Sequence, residues 1–145
     1  MTAKEYLMQD RSLEFKIKQR RQQAKELKQA AQSVSSPSTG ERVQTSQTGG
    51  ALEKAVEKYI GLLETAELEA ASFQEVRNEI IRRIEKSDDF RFIQLLTYRY
   101  INHMKFEEIA CKMNYSFRQT MRLHELALAD FADKNKDVIK CHIQE

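Results

Sequence analysis

Residues 99–128 read RYINHMKFEEIACKMNYSFRQTMRLHELAL, and the reading of this stretch decides the fold. Phe106, Ile109, Ala110 and Met113 recur at helical spacing and predict a short helix over 106–113. Asn114 follows, a residue type that tolerates the left-handed backbone needed just past a helix end. Ser116, with Gln119 three residues later, fits a capping box and opens a second helix. That helix places Thr120, Leu123, His124, Ala127 and Phe131 on one face. Phe117, Arg118, Gln119, Met121 and Arg122 point largely away from it. Two helices that cross steeply through so short a turn need a small residue at the crossing, and Ala110 supplies it. Ile109, Met113, Tyr115, Thr120 and Leu123 are then the side chains that fill the wedge. Thr120 stands where an aliphatic residue would pack better, which predicts a looser wedge.

A third helix is expected just upstream. Ser87-Asp88-Asp89 is a suitable N-cap, followed by Phe90, Ile93, Leu96, Tyr100 and Ile101 as the apolar face and Asn102-His103 as the stop. The three helices together predict a helix-turn-helix domain over 87–132, in which the last helix is anchored by its inner side only. Its N-terminal outer face is then free to enter a major groove of duplex DNA. Arg118, Gln119 and Arg122 suit base edges and phosphates, and Phe117 and Met121 suit thymine methyl groups. Residues 99–122 hold five Lys/Arg (Arg99, Lys105, Lys112, Arg118, Arg122) against Glu107 and Glu108, a local +3. Lys105, Ser116, Phe117, Arg118, Gln119, Met121 and Arg122 are therefore the candidate DNA-binding residues. Glu125, an acid near the same side, limits how far the helix can follow the duplex. Gln119 is equally suited to capping Ser116 and to reading a base, and His124 reads as a packed core histidine.

The remainder of the chain is expected to form a helical arm. Residues 1–32 carry Leu13, Ile17, Ala24, Leu27 and Ala31 at four-three-four spacing, interrupted by Arg20 and extended upstream by Tyr6. Residues 33–51 hold the only Pro and three of the four Gly, and read as a flexible loop. Residues 52–86 return to heptad spacing through Leu52, Val56, Tyr59, Leu63, Ala66, Ala70, Phe73, Arg77, Ile80 and Ile84. Ser72-Phe73-Gln74-Glu75 also fits a capping box, but the unbroken heptad phase favours one helix. The segment 1–32 carries eight Lys/Arg against four Asp/Glu, and 52–89 carries six against ten. Opposite charge on two heptad-striped helices predicts pairing, within one chain as a hairpin or between two chains. Residues 133–145 are expected to be a tail, a frayed helix with a solvated face, in which Val138, Ile139 and Ile143 hint at docking. The expected fold is thus all-α: a long, coiled-coil-like N-terminal helical hairpin, then a C-terminal tri-helical helix-turn-helix domain.

Composition narrows the function. The overall +2 charge, 32% charged residues and 41% hydrophobic residues suit amphipathic helices, as does a mean hydropathy of −0.66. No secretory leader or membrane span is read from the sequence, so a soluble cytoplasmic protein is expected. Cys111 and Cys141 form no CxxC pair, and Cys141-His142 lacks the further donors of a zinc site, so neither a metal nor another cofactor is expected. With no Gly-rich phosphate loop, no clustered carboxylate pair and no nucleophile beside a base, an enzyme is not expected.

The 99–128 segment, with Arg-Tyr, then EEIA, then a Ser-capped helix, resembles region 4 of bacterial sigma factors. Together with the opening MTAKEYL and the central SSPSTGERVQTS, it resembles small phage and prophage regulators. These are the sigma-like proteins grouped near the ArpU and RinA late-transcription activators. The resemblance implies a sequence-specific, DNA-binding regulator of late genes in a bacterial host cell. A homodimer or higher homo-oligomer through the helical arm is expected, because pairing multiplies the specificity of one small module, and RNA polymerase is a further candidate partner. A small terminase-like packaging subunit and a sigma-like polymerase adaptor remain open as alternatives.

Overall fold

The chain's shortage of Pro and Gly outside 33–51 leaves little to interrupt helix formation, and a computed structural model of the protein is all-α. The structure describes residues 1–34 and 48–139. Helices α1 (Ala3–Val34) and α2 (Thr48–Ile84) are followed by α3 (Phe90–Leu96), a π-helical segment (Thr97–Ile101), α4 (Phe106–Met113) and α5 (Phe117–Lys134). There is no strand among the described residues, and no helix is long and apolar enough to cross a membrane. The two long helices reach into both ends of the expected 33–51 loop; residues 35–47 of that loop, like Cys141, His142 and Ile143, lie outside the described residues. The helix α2 runs through Ser72 without a break, as its heptad phase requires.

The chain divides into two compact units. One gathers residues 15–72 from the distal parts of α1 and α2. Ile17, Ala24 and Ala66 are buried there, and Arg20 meets Glu69 at 3.6 Å. Leu27 and Ala30 share a hollow with Leu62 and Lys58, so rising numbers on α1 meet falling numbers on α2, an antiparallel pairing. Small side chains at Ala24 and Ala66 let the helices approach on their heptad seams. The stripe fades toward the start of α2, where Leu52, Val56 and Ile60 are exposed.

The other unit gathers residues 1–14 and 73–145. It therefore draws in segments beyond the 87–132 span, from the starts and ends of what the sequence assigns to the arm. Its core joins Ala3 and Leu7 of α1 and Ile80 and Ile84 of α2 to Leu95, Leu96, Tyr100, Ile101, Ile109, Leu123, Ala127, Phe131 and Ile139. Tyr6 packs its ring 6.0 Å from that of Phe131, and the Arg83 guanidinium lies 5.9 Å over the Tyr6 ring. Arg83 also binds Glu79 at 2.8 Å and Asp137 at 2.9 Å. Wholly buried Asn135 terminates α5, donating its amide to the Phe131 carbonyl at 2.9 Å. Ile139 is thereby turned back into the core, so this part of the 133–145 tail is docked rather than a frayed helix.

The N-cap of α3 is Asp89, whose carboxylate accepts the Arg91 backbone N–H at 2.9 Å. Two features of this region depart from the sequence expectation. Phe90 is 67% exposed, because it lies about half a turn from the buried Leu95–Leu96 face. The helix also widens into a π turn at Thr97–Ile101. With the longer turn, pairs five residues apart align, so Leu95 with Tyr100 and Leu96 with Ile101 all reach the core. The freed end of this segment is capped from α2, where Arg77 Nη2 donates to the Ile101 carbonyl at 3.2 Å.

Leu7 is fully buried, whereas Leu68 is 74% exposed. Truncating a buried leucine costs about 2–5 kcal/mol, since the site keeps a cavity. Leu7→Ala is expected to lower the unfolding free energy by about that amount in urea titrations. Leu68→Ala is expected to stay within about 0.5 kcal/mol of wild type.

Candidate nucleic-acid interface

The geometry between α4 and α5 begins with one backbone position. Asn114 adopts φ 58, ψ 39, the left-handed region, and ends α4. The Tyr115 N–H then reaches back to the Ala110 carbonyl at 3.0 Å, and the Asn114 N–H to the Cys111 carbonyl at 3.3 Å. These bonds satisfy carbonyls that the helix end would otherwise strand. The chain turns at once into the Ser116 cap. Ser116 Oγ accepts the Gln119 N–H at 3.1 Å, and Gln119 Oε1 accepts the Ser116 N–H at 3.0 Å. Gln119 is thus a capping residue, one of the two roles its spacing allows. At the start of α4, the Glu108 carboxylate similarly accepts the Lys105 backbone N–H at 2.9 Å.

The inner face of α5 is buried through Thr120, Leu123, His124, Ala127 and Phe131. Thr120 does not loosen the wedge, because its hydroxyl donates to the Ser116 carbonyl at 2.9 Å and leaves no polar group stranded. His124 shares a 2.8 Å hydrogen bond with Tyr100 Oη and receives Phe106 edge-on at 4.9 Å between ring centroids. Burial pushes the imidazole down to about 4, with the nearby Arg99 and Lys4 charges acting in the same direction. It is therefore neutral at physiological pH.

The opposite face is open. Arg118 and Arg122 are exposed, four residues apart on the side away from the core, and neither joins an ion pair among the described residues. Phe117 is 51% exposed at the start of α5, and Lys105 and Ser116 are also exposed. Glu125, exposed as well, lies on the same side in helical projection, about 20° beyond Arg118, and places a negative charge beside it. Met121 falls elsewhere. It is half-buried and lines a cavity with Leu7, Tyr100, Phe106 and His124, on the flank of the helix. The other basic residues counted in the sequence are engaged: Arg99 lies 4.2 Å over the Phe106 ring and donates to the Met104 carbonyl, and Lys112 sits 4.8 Å over the Tyr98 ring. Lys105, Arg118 and Arg122 are thus the exposed cations of this stretch that do not rest on an aromatic ring. Sequence spacing alone does not separate these from Arg99 and Lys112, since both aromatic acceptors lie on other helices.

Two measurements follow from this geometry. Asn114→Gly is expected to leave stability within about 0.5 kcal/mol of wild type, and Asn114→Ala to cost about 1 kcal/mol, read by thermal unfolding. For His124, the folded imidazole titrates near 4 and the unfolded one near the ordinary 6.5. Above that range both states are neutral; as pH falls through it, only the unfolded chain gains the proton. Stability is therefore expected to drop by about 3 kcal/mol between pH 6.5 and pH 4 on account of this residue. The drop is read as the difference between wild type and His124→Gln in urea titrations across that range, and a pH-independent difference would contradict it.

The chain matches no protein-family model, no curated protein and no solved structure.

Proposed function

We propose that the protein is a sequence-specific DNA-binding transcription regulator of the phage type. In this reading α4, the Asn114 turn and α5 form a helix-turn-helix like that of sigma region 4, with α5 as the recognition helix. The observation that carries it is the division of α5: a buried inner face, and an N-terminal outer face with Arg118 and Arg122 exposed and free of ion pairs among the described residues. A recognition helix needs such a split, because one side must fix its angle while the other carries the donors that meet base edges and phosphates. Cations at the outer face add sequence-independent attraction to the phosphate backbone. One module with so few contacts reads a short site, so pairing of two copies through the antiparallel α1–α2 arm would multiply specificity. No catalytic role is assigned.

A second reading is favoured by one feature, a shallow apolar hollow beside Gln119 and Arg122, lined also by Arg91, Tyr115, Leu123 and the 59% exposed Leu126. An apolar hollow of this kind suits a protein ligand, as in a sigma-like adaptor that contacts RNA polymerase.

Fragments of the cognate genome retained by the protein define its site, and gel-shift titration on that site tests the face. Arg118→Ala and Arg122→Ala are each expected to weaken binding by about tenfold or more, with unchanged thermal unfolding. If either arginine makes only a phosphate contact, its removal lowers the salt dependence of log K by about one unit. Retention of no fragment, or full affinity in both variants, would exclude this face. Co-purification with polymerase in that case would support the adaptor.

A further inference from the structure

We propose that Asp10, Glu14 and His103 form a binding site for a divalent first-row transition cation. The three lie within the unit formed by residues 1–14 and 73–145. Asp10 and Glu14 are one helical turn apart on α1 and therefore share a face. His103 comes from the connector between the π-helical segment and α4, where its backbone takes the left-handed φ of 54. Its Nε2 lies 3.0 Å from Asp10 Oδ2 and 2.9 Å from Glu14 Oε2. One donor atom from each of the three residues falls within 4.8 Å of the others.

A hydrogen bond does not explain this convergence. A ring nitrogen carries at most one proton, so it cannot serve two carboxylates well. Asp10 is wholly buried; its Oδ2 has only the shared His103 Nε2 as a neighbour, and its Oδ1 lacks a hydrogen-bond partner. A buried carboxylate with so few donors is costly, and natural sites meet that cost by pairing the charge or coordinating a cation. Nitrogen and oxygen ligands held about 2.1 Å from a metal in octahedral geometry stand about 3.0 Å apart along an edge, the spacing seen on both sides of Nε2.

The donor set selects the ion. One imidazole with two carboxylates suits Zn²⁺, Co²⁺ or Mn²⁺, whereas Ca²⁺ prefers an all-oxygen shell and soft ions prefer thiolates. The two carboxylates balance a dication. Arg77 is the neighbouring cation that opposes it, and part of that guanidinium is committed to the Ile101 carbonyl. Burial holds the Asp10 carboxyl above its ordinary range, against the opposing pull of Arg77 and His103. A bound ion would tie the first turns of α1 to the connector that leads into α4.

Calorimetric titration of the chelator-treated full chain with Zn²⁺, Mn²⁺ and Mg²⁺ tests the site. Saturable binding of one Zn²⁺ or Mn²⁺, at least tenfold tighter than Mg²⁺, is expected, with a rise in melting temperature. His103→Gly suits the left-handed backbone and removes only the ligand, so it should keep its circular dichroism and weaken binding at least tenfold. Glu14→Gln should do the same from the half-exposed edge. Asp10→Asn should lose binding without melting lower than wild type in chelator, a result that a purely structural ion pair would not give. No saturable binding by the wild type, or binding that His103→Gly leaves unchanged, would overturn the proposal.

Discussion

The packing of one helical turn, Ala3 to Leu7, against Ile80, Ile84 and the inner face of α5 is the constraint on which the rest of this unit depends. A seven-residue α3 and an eight-residue α4 are too short to be stable alone, and their apolar faces are limited in area. The flanking helices supply what is missing. Once Leu7, Ile80 and Phe131 are buried together, the roll of α5 about its own axis is fixed. The same packing that hides Leu123 and Ala127 leaves Arg118 and Arg122 outside. Exposure of the candidate DNA face is thus a by-product of where the apolar side chains had to go.

Local chemistry was the legible part of the sequence. Asn114 takes the left-handed conformation, Ser116 and Gln119 cap each other, and Thr120, Leu123, His124, Ala127 and Phe131 share the buried side of α5. Each of these depends on neighbours within a few residues, so spacing alone carries it. Away from the start of α2, where Leu52 and Val56 are exposed, the heptad positions of α1 and α2 also told which faces are covered. They did not tell what covers them: Tyr6 looks like one more heptad of an arm, yet its ring packs against Phe131, far along the chain.

The π-helical segment and the fate of the basic residues were not legible for related reasons. A pattern sought at 3.6 residues per turn assigns Phe90 to the core and passes over Leu95, because it has no place for a turn that widens by a residue. Equal counting of Arg99, Lys105, Lys112, Arg118 and Arg122 treats them as one patch. Two of them rest on aromatic rings supplied by other helices, a tertiary fact with no signature in a local charge sum. Met121 likewise follows the cavity beside His124 rather than the outer side.

The split origin of the C-terminal unit's core has a consequence for how the chain matures on the ribosome. Residues 1–14 are synthesised long before Phe131 and Ile139, which complete their hydrophobic surroundings. Until those later residues emerge, the native surroundings of Leu7 and Tyr6 stay incomplete, and the nascent segment must stay soluble on the charge of its Lys, Arg and Glu neighbours. Closure over so long a sequence separation also slows folding relative to a bundle built from adjacent helices.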